Sequence, residues 1–342
     1  MQAALFTGSH KISVTDYQIP PLKPGELLLR VGACGVCGTD FHIFEGNAPA
    51  KAPVILGHEY TGQIVDVGQE VNELKIGDRV AVNPNIHCGY CEFCRKGKIN
   101  LCLNLKALGV TVNGGFSEYS IVPRTQTHLI PKNFPYRIAA FSEPLSCCVH
   151  GINQADIKTG ETVSIVGAGT IGLLMLQLAE LKGASETFVY DISEQKREIA
   201  LKLGADAALD PMDENSLQEV KDRMPGGTDV VIECVGSQKA AEFALKQVKK
   251  GGTLVIFGLA DPKAFISLYL QSFFHKELTV KSSILNPNTF QTAVDLLVTG
   301  KVRTDLFNPA AVQLNNKDIN ALFNDPRENS VIKYMVIPEG WK

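Results

Sequence analysis

Four cysteines of the 342-residue chain are spaced as Cys88-x2-Cys91-x2-Cys94-x7-Cys102. Four thiolates within fifteen residues can wrap one Zn²⁺ tetrahedrally with no coordination position left open, so the expected role is structural. Arg95, Lys96 and Lys98 lie between the last two ligands and would offset the charge of a tetrathiolate. A nucleic-acid zinc ribbon shares this kind of spacing, but it needs a basic, aromatic face, and the chain carries a formal charge of −3. A second set begins at Cys34-Gly-Val-Cys37-Gly-Thr39-Asp40-Phe-His42 and resumes at Gly57-His58-Glu59. Cys37 and His58 combine a soft thiolate with an imidazole, a pair that suits Zn²⁺, and Glu59 can complete or share the site. Taken alone, Cys34 and Cys37 also read as a CxxC zinc or redox pair.

A third set has no reactive side chains but a distinct mechanical pattern. Thr162–Val166 is a β-type run that leads into Gly167-Ala-Gly169-Thr-Ile-Gly172, followed by an apolar stretch to Lys182. A second β-type run, Thr187–Tyr190, ends in Asp191, nineteen residues beyond Gly172. Such a turn opens a helix whose N-terminal N–H groups and dipole can hold a pyrophosphate. Gly169 has no side chain to block that approach, and Gly172 allows close helix packing. Asp191 would accept hydrogen bonds from the free ribose diol and repel a 2′-phosphate, with Lys196 near the same ribose, so NAD is expected. Lys196 and Arg197 leave an NADP reading open. Val163–Ala179 is seventeen residues without a charge, but its glycines and its length argue for a buried strand and helix rather than a membrane span.

These sets need two kinds of scaffold. The first 140 or so residues are β-rich, with apolar runs such as Leu27–Val31 and Tyr60–Val67 between turn signals at Pro20-Pro21, Pro24-Gly25 and Gly77-Asp78. From about Cys147 strands alternate with helical stretches. The helices are expected at Ser193–Leu203, Ser216–Arg223 and Gln238–Lys249, and further strands at Asp229–Glu233, Thr253–Phe257 and Leu278–Ser282. Alternation of this kind implies a parallel doubly wound sheet of six strands. Nearly sixty residues remain, too few for a third domain, and they are expected to return to the first.

Hydrophobic residues make up 45% of the chain and charged residues 20%, an ordinary globular balance with no call for a nucleic-acid or membrane partner. The N-terminus has no basic region followed by a long apolar core, so no secretory signal is expected. The cysteine distribution points to metal ligation in a reducing compartment, and hence to the cytoplasm. Phe141-Ser-Glu143-Pro144-Leu-Ser-Cys147-Cys148-Val-His150 precedes the glycine-turn region. A carboxylate before proline often caps a turn. Cys147, Cys148 and Cys234 read as small buried residues, and His10, His87, His128, His150 and His275 as structural.

The order GxCGxCGTDxH, GHE, four-cysteine lobe, EPL segment, GAGTIG and Asp resembles the zinc-containing medium-chain dehydrogenase/reductase family over essentially the full length. The resemblance implies an α/β fold: a GroES-like β-rich catalytic domain (1–146 and 286–342, structural zinc lobe 87–103) and a Rossmann NAD-binding domain (147–285). It implies a catalytic zinc held by Cys37, His58, Glu59 and Glu143, with Thr39 and His42 relaying the released proton. Cofactor contacts would come from Gly167, Gly169, Ile171, Gly172, Asp191 and Lys196, and from Phe257, Gly258, Leu259, Ser283 and Ile284. NAD and two zinc ions per chain follow, in a homo-oligomer, tetramer rather than dimer.

Within the family, GHE with an EPL glutamate resembles the sorbitol/polyol dehydrogenase branch, which implies oxidation of a polyol to the ketose. Threonine dehydrogenases resemble the same segments, but typically carry aspartate where this chain has Glu143. Ile43 and Leu285-Asn286 depart from the sorbitol dehydrogenase pattern, and Glu143–His150 resembles bacterial arabitol(-phosphate) dehydrogenases, so a sugar-alcohol phosphate stays open as the substrate. Relatives that act as quinone reductases or lens proteins lack the metal ligands, whereas both sets are intact here.

Overall fold

The computed structural model describes residues 1–325 and 328–339. The chain forms two compact units, residues 1–146 with 285 onward, and residues 147–284.

The second unit is built on a six-stranded parallel sheet: β1 (Thr162–Val166), β2 (Glu186–Tyr190), β3 (Ala207–Leu209), β4 (Thr228–Glu233), β5 (Val248–Ile256) and β6 (Thr279–Ser282). Its order is β3-β2-β1-β4-β5-β6, the doubly wound arrangement expected from the strand and helix alternation. β1 lies at the point where the order reverses, with Val166 beside Tyr190 on one side and Glu233 on the other. Its interior residues are buried on both faces, which is why it reads as a continuous apolar run. The helix after it, α1 (Thr170–Leu181), buries Gly172 to Ala179.

Several expected boundaries moved. The stretch Gln238–Lys249 is helical only to Gln247, because β-branched Val248 opens β5, which runs on through Gly251 and Gly252. The stretch Ser216–Arg223 begins at Glu214, after Asp213 accepts the Asn215 N–H as N-cap. The three-residue strand β3 is too short to carry a visible alternation.

The first unit centres on the strand Glu26–Gly35, whose neighbours are Glu59–Val67, Tyr119–Pro123 and Tyr334–Ile337. The registers matter for the chemistry. Gly35 pairs with Glu59, and Met335 pairs with the same glycine from the other side. Strands from early and late in the sequence therefore meet at one residue. Leu27, Leu29, Val31, Ile64, Phe116 and Val336 hold this region in a fully buried cluster. A helix absent from the sequence reading, Gly38–Glu45, follows directly and is N-capped by Cys37.

Candidate metal centres and cofactor turn

The local fold around Cys37 aims three donors at one point. The Gly38–Glu45 helix opens in a capping box, with the Cys37 N–H donating to Asp40 Oδ2 at 2.8 Å. His58 and Glu59 arrive from the start of the antiparallel neighbour strand. The donor atoms of Cys37, His58 and Glu59 all lie within 4.8 Å of one another. His58 Nδ1 is buried without a hydrogen-bond partner, and Glu59 Oε2 meets the Lys333 ammonium. A thiolate, an imidazole and a carboxylate gathered in this way, with an imidazole nitrogen left over, fit a borderline cation such as Zn²⁺. Burial works against a charged His58, but the negative charges of Asp40 and Cys37 outweigh it and push the imidazole well above its ordinary range.

Glu143 is buried in the first turn of the helix Ser142–Ala155, where Pro144 also falls, rather than in a turn or loop. It is not one of the three residues gathered within 4.8 Å. Thr39 and His42 lie one turn apart on the Gly38–Glu45 helix, both half-buried, with Cys37 Sγ donating to Thr39 Oγ1 at 3.6 Å. Cys34 is enclosed in the strand, its thiol pushed well up by burial and by the charges of Asp40 and Glu59. A redox cysteine needs the opposite shift, and Cys34 is not among the donors gathered with Cys37, so both forms of the CxxC reading are disfavoured.

Cys88, Cys91, Cys94 and Cys102 form the second group, also within 4.8 Å of one another. Two sulfur pairs, Cys88–Cys94 and Cys91–Cys102, are each 4.0 Å apart. A tetrahedron with Zn–S bonds of ~2.3 Å has edges of roughly 3.8 Å, so the group is close to ligand geometry. Backbone N–H groups of Cys88 and Cys91 point at the sulfurs of Cys102 and Cys88. Desolvation raises the Cys88 thiol, but N–H donors from Tyr90, Cys91 and Asn104 prevail and lower it to about 6. The lobe has few buried side chains of its own: Tyr90, Leu101 and Leu103 are exposed.

In the second unit, Gly167 turns the chain at φ +100°. A Cβ on Gly172 would stand 1.7 Å from the Gly167 carbonyl oxygen, so only glycine lets α1 start this close to the turn. A Cβ on Gly169, the N-cap of α1, would meet nothing, which leaves an open cradle over the helix N-terminus. Asp191 accepts the Ala168 N–H at 2.7 Å and the Ser193 N–H at 2.8 Å. Arg197 is turned inward, donating to the Asp191 carbonyl oxygen and to Asp210. Lys196 and Ile171 are half-buried, as are Phe257 and Gly258, while Leu259 and Ile284 are exposed. The Ser283 hydroxyl is buried without a hydrogen-bond partner.

Residues 23–132 match the alcohol dehydrogenase GroES-like domain family, and residues 170–299 match the zinc-binding dehydrogenase family. D-arabinitol dehydrogenase 1 of Uromyces fabae is 36% identical over 309 residues, 89% of this chain and 88% of that protein. The chain belongs to the zinc-containing medium-chain dehydrogenase/reductase family. L-threonine 3-dehydrogenase of Pyrococcus abyssi is 38% identical over 299 residues, 85% of each chain. A Sinorhizobium meliloti 1021 zinc-binding dehydrogenase solved with NADP superposes with a TM-score of 0.93 at 38% identity, over 98% of this chain and 99% of that one. This dehydrogenase is therefore an oxidoreductase on the α/β fold described above. No helix among its described residues is long and apolar enough to cross a membrane.

Three residues of this dehydrogenase's sites escaped the sequence reading. Lys333 forms a buried ion pair with Glu59 Oε2, and a Cβ on Gly35 would strike both side chains. Asp40 is fully buried, with Oδ1 3.5 Å from His58 Nδ1 but no hydrogen bond formed. Glu233, at the exit of β4, accepts the N–H groups of Val235 and Gly236 at 2.7 and 2.9 Å. Its backbone carbonyl accepts Phe257 and Gly258, so it ties the loops after β4 and β5 together. An acid at the end of an apolar strand was a usable signal for Glu233. Nothing local marked Lys333. Of the three cysteines read as buried, Cys148 is buried and Cys147 and Cys234 are half-buried.

Proposed function

We propose that this dehydrogenase oxidises a secondary alcohol of a polyol, a sugar alcohol or its phosphate, to the ketose, with the hydride passing to NAD. The carrying observation is the donor set Cys37, His58 and Glu59, which has one thiolate rather than two and an oxygen donor among three. Such a site is hard enough to favour vicinal hydroxyls over a lone alcohol. The arabinitol dehydrogenase relative acts on a substrate of this class. Zinc bound there supplies a Lewis acid that eases ionisation of the substrate hydroxyl. Glu143 completes the ligand set or holds the second hydroxyl. The Thr39 hydroxyl accepts the released proton, and the His42 imidazole delivers it to water. Cys88, Cys91, Cys94 and Cys102 hold the second, structural zinc.

For the cofactor, the pyrophosphate rests over Gly169, Ile171 flanks it, and Asp191 and Lys196 hold the adenosine ribose. Phe257, Gly258, Leu259, Ser283 and Ile284 line the nicotinamide side. NAD is favoured because Arg197 is already engaged by Asp210 and the Asp191 carbonyl instead of facing a 2′-phosphate. The NADP-bound relative supports the second reading. The threonine dehydrogenase relative likewise supports L-threonine as a second substrate class. We place the enzyme in the cytoplasm as a homo-oligomer, tetramer rather than dimer. The outer edge of β6 is unpaired among the described residues, and Leu270, Phe274 and Val280 are exposed close to it in sequence, as an interface would require.

The test is NADH formation over arabitol, xylitol, sorbitol, galactitol, an inositol, their phosphates, L-threonine and ethanol. A polyol or polyol phosphate should lead. Preference for ethanol overturns the reading, and preference for L-threonine selects the alternative.

A further inference from the structure

Leu285-Asn286, where the chain departs from the sorbitol dehydrogenase pattern, is built into the scaffold of the first unit. The Asn286 side chain is buried, and both of its amide N–H groups are engaged, donating to Ser146 Oγ at 2.7 Å and to Asn83 Oδ1 at 3.4 Å. Its oxygen accepts the Asn85 amide at 2.9 Å. With both donors committed, Asn286 has no N–H to offer a substrate hydroxyl.

Ser146 is where these contacts converge. It is fully buried in the helix Ser142–Ala155, three residues after Glu143, and its hydroxyl donates to the Glu143 carbonyl oxygen at 2.6 Å. Its own carbonyl accepts the Thr289 hydroxyl at 2.7 Å. A serine bonded to the carbonyl one turn back is ordinary in a helix. A carboxamide reaching that serine from 140 residues further along, with a threonine hydroxyl beside it, is a long-range tie. The segment that supplies it carries strain: Leu285 and Asn288 both have φ +59°, a region that a bulky side chain such as leucine disfavours. Strain of this kind persists only where the surroundings over-determine it, and the contacts of Asn286 and Thr289 do so.

The tie ends on the turn that carries Glu143. That carboxylate is buried yet stands outside the group formed by Cys37, His58 and Glu59, so its reach depends on how its own helical turn is held. We propose that Asn286, acting through Ser146, is a positioning residue for Glu143, a role that rests on the part given to Glu143 in the reaction above. A fully satisfied buried polar network is stiff, and stiffness is what a group offering one oxygen to a reacting centre needs.

The test is a set of double-variant cycles on the full chain. Ser146→Ala and Asn286→Leu remove the two ends of the contact. Each should lower kcat/KM by about tenfold for the substrate that leads the NADH-formation screen, the effect of a displaced group rather than a lost one. The Kd for NADH should not change. In the metal-free protein the two changes share one contact, so the double variant should lose less urea resistance than the singles combined. On a Glu143→Ala background, followed by single-turnover NADH formation, either change should slow the reaction no further, because the positioned group is gone. The urea midpoint should still fall there as it does in the parent. Losses of rate that repeat in full on Glu143→Ala, or urea losses that simply add, would overturn the positioning role alone. Weakened NADH binding that accounts for the lost turnover would overturn it too. Full activity of Glu143→Ala by itself would overturn the part given to Glu143, and the positioning role with it. Should Asn286→Leu fail to fold, Ser146→Ala carries the same comparison against Glu143→Ala.

Discussion

The Lys333 ammonium rests against the Glu59 carboxylate, with side-chain exposures of only 5% and 2%. Gly35 provides the room, and the pairing of Gly35 with both Glu59 and Met335 brings the partners together. Burial alone would make Lys333 give up its proton, but the charges of Glu59, Cys37 and Asp40 prevail and its affinity for the proton rises. Lys333→Met leaves a buried carboxylate without its cation, so the metal-free protein should lose about 3–5 kcal/mol. The measurement is the urea midpoint at unchanged slope. Added zinc should restore part of the loss, because the metal gives Glu59 another cation. A metal-free Lys333→Met as stable as the parent would show that the pair contributes nothing.

Cys88→Ser removes one thiolate from a lobe with little core of its own. Zinc content should fall from two to one per chain, and the thermal midpoint should drop, since structural zinc supplies on the order of 10 kcal/mol of binding free energy in small folds. Elemental analysis beside a melting curve decides it. Retention of both the metal and the midpoint would remove the structural role.

Asp191 anchors the glycine turn and, in the proposed reading, selects the cofactor, and Asp191→Asn separates the two. The amide oxygen can still accept the Ala168 N–H, but the charge proposed to select against a 2′-phosphate is gone. The expected outcome is about a tenfold fall in kcat/KM for NAD with a rise for NADP, equivalent to roughly 1.4 kcal/mol of discrimination. Equal kcat/KM for the two cofactors in the unaltered enzyme would take Asp191 out of that role.

His42→Gln keeps a polar side chain on the Gly38–Glu45 helix but cannot carry a proton. Turnover should fall by about tenfold, less than a full general-base effect because water can replace the imidazole. The loss should be greatest at low pH, where proton release limits the reaction. A pH–rate profile identical to the parent's would exclude the relay.

Asp229 clamps the entry of the second unit's sheet, accepting Thr162 N–H and Oγ1–H at 3.0 and 2.7 Å and pairing with Lys249. Desolvation raises its carboxyl, but the Lys249 and Thr162 contacts prevail and hold it below the usual carboxylate range. A depressed folded-state pKa means the unfolded chain takes up the proton first as pH falls. The stabilisation is therefore complete above the unfolded value and is lost on acidification through the folded one. Asp229→Asn should cost about 1–3 kcal/mol at neutral pH. The gap from the parent should close as both are acidified below the ordinary carboxylate range. A gap that does not change with pH would show that the carboxylate's charge is not involved.

What the sequence determined alone lies within short spans. The Cys88–Cys102 spacing and the run from Thr162 to Asp191 were legible because their geometry is local: a loop wraps its own ligands, and a strand and helix share one turn. The alternating pattern after Cys147 carried the doubly wound order for the same reason, since each crossover has one favoured hand. The tertiary structure decided everything that depends on register. Cys37, His58 and Glu59 converge because the strand Glu26–Gly35 pairs with Glu59–Val67 so that Gly35 faces Glu59. Lys333 enters the same cluster because Tyr334–Ile337 pairs on the other edge of that strand. A shift of one residue in either pairing would turn those side chains to the opposite face, and no local pattern at position 333 records which face it takes. Hydrogen-bond register, set by the whole buried sheet, is what converts distant residues into one site.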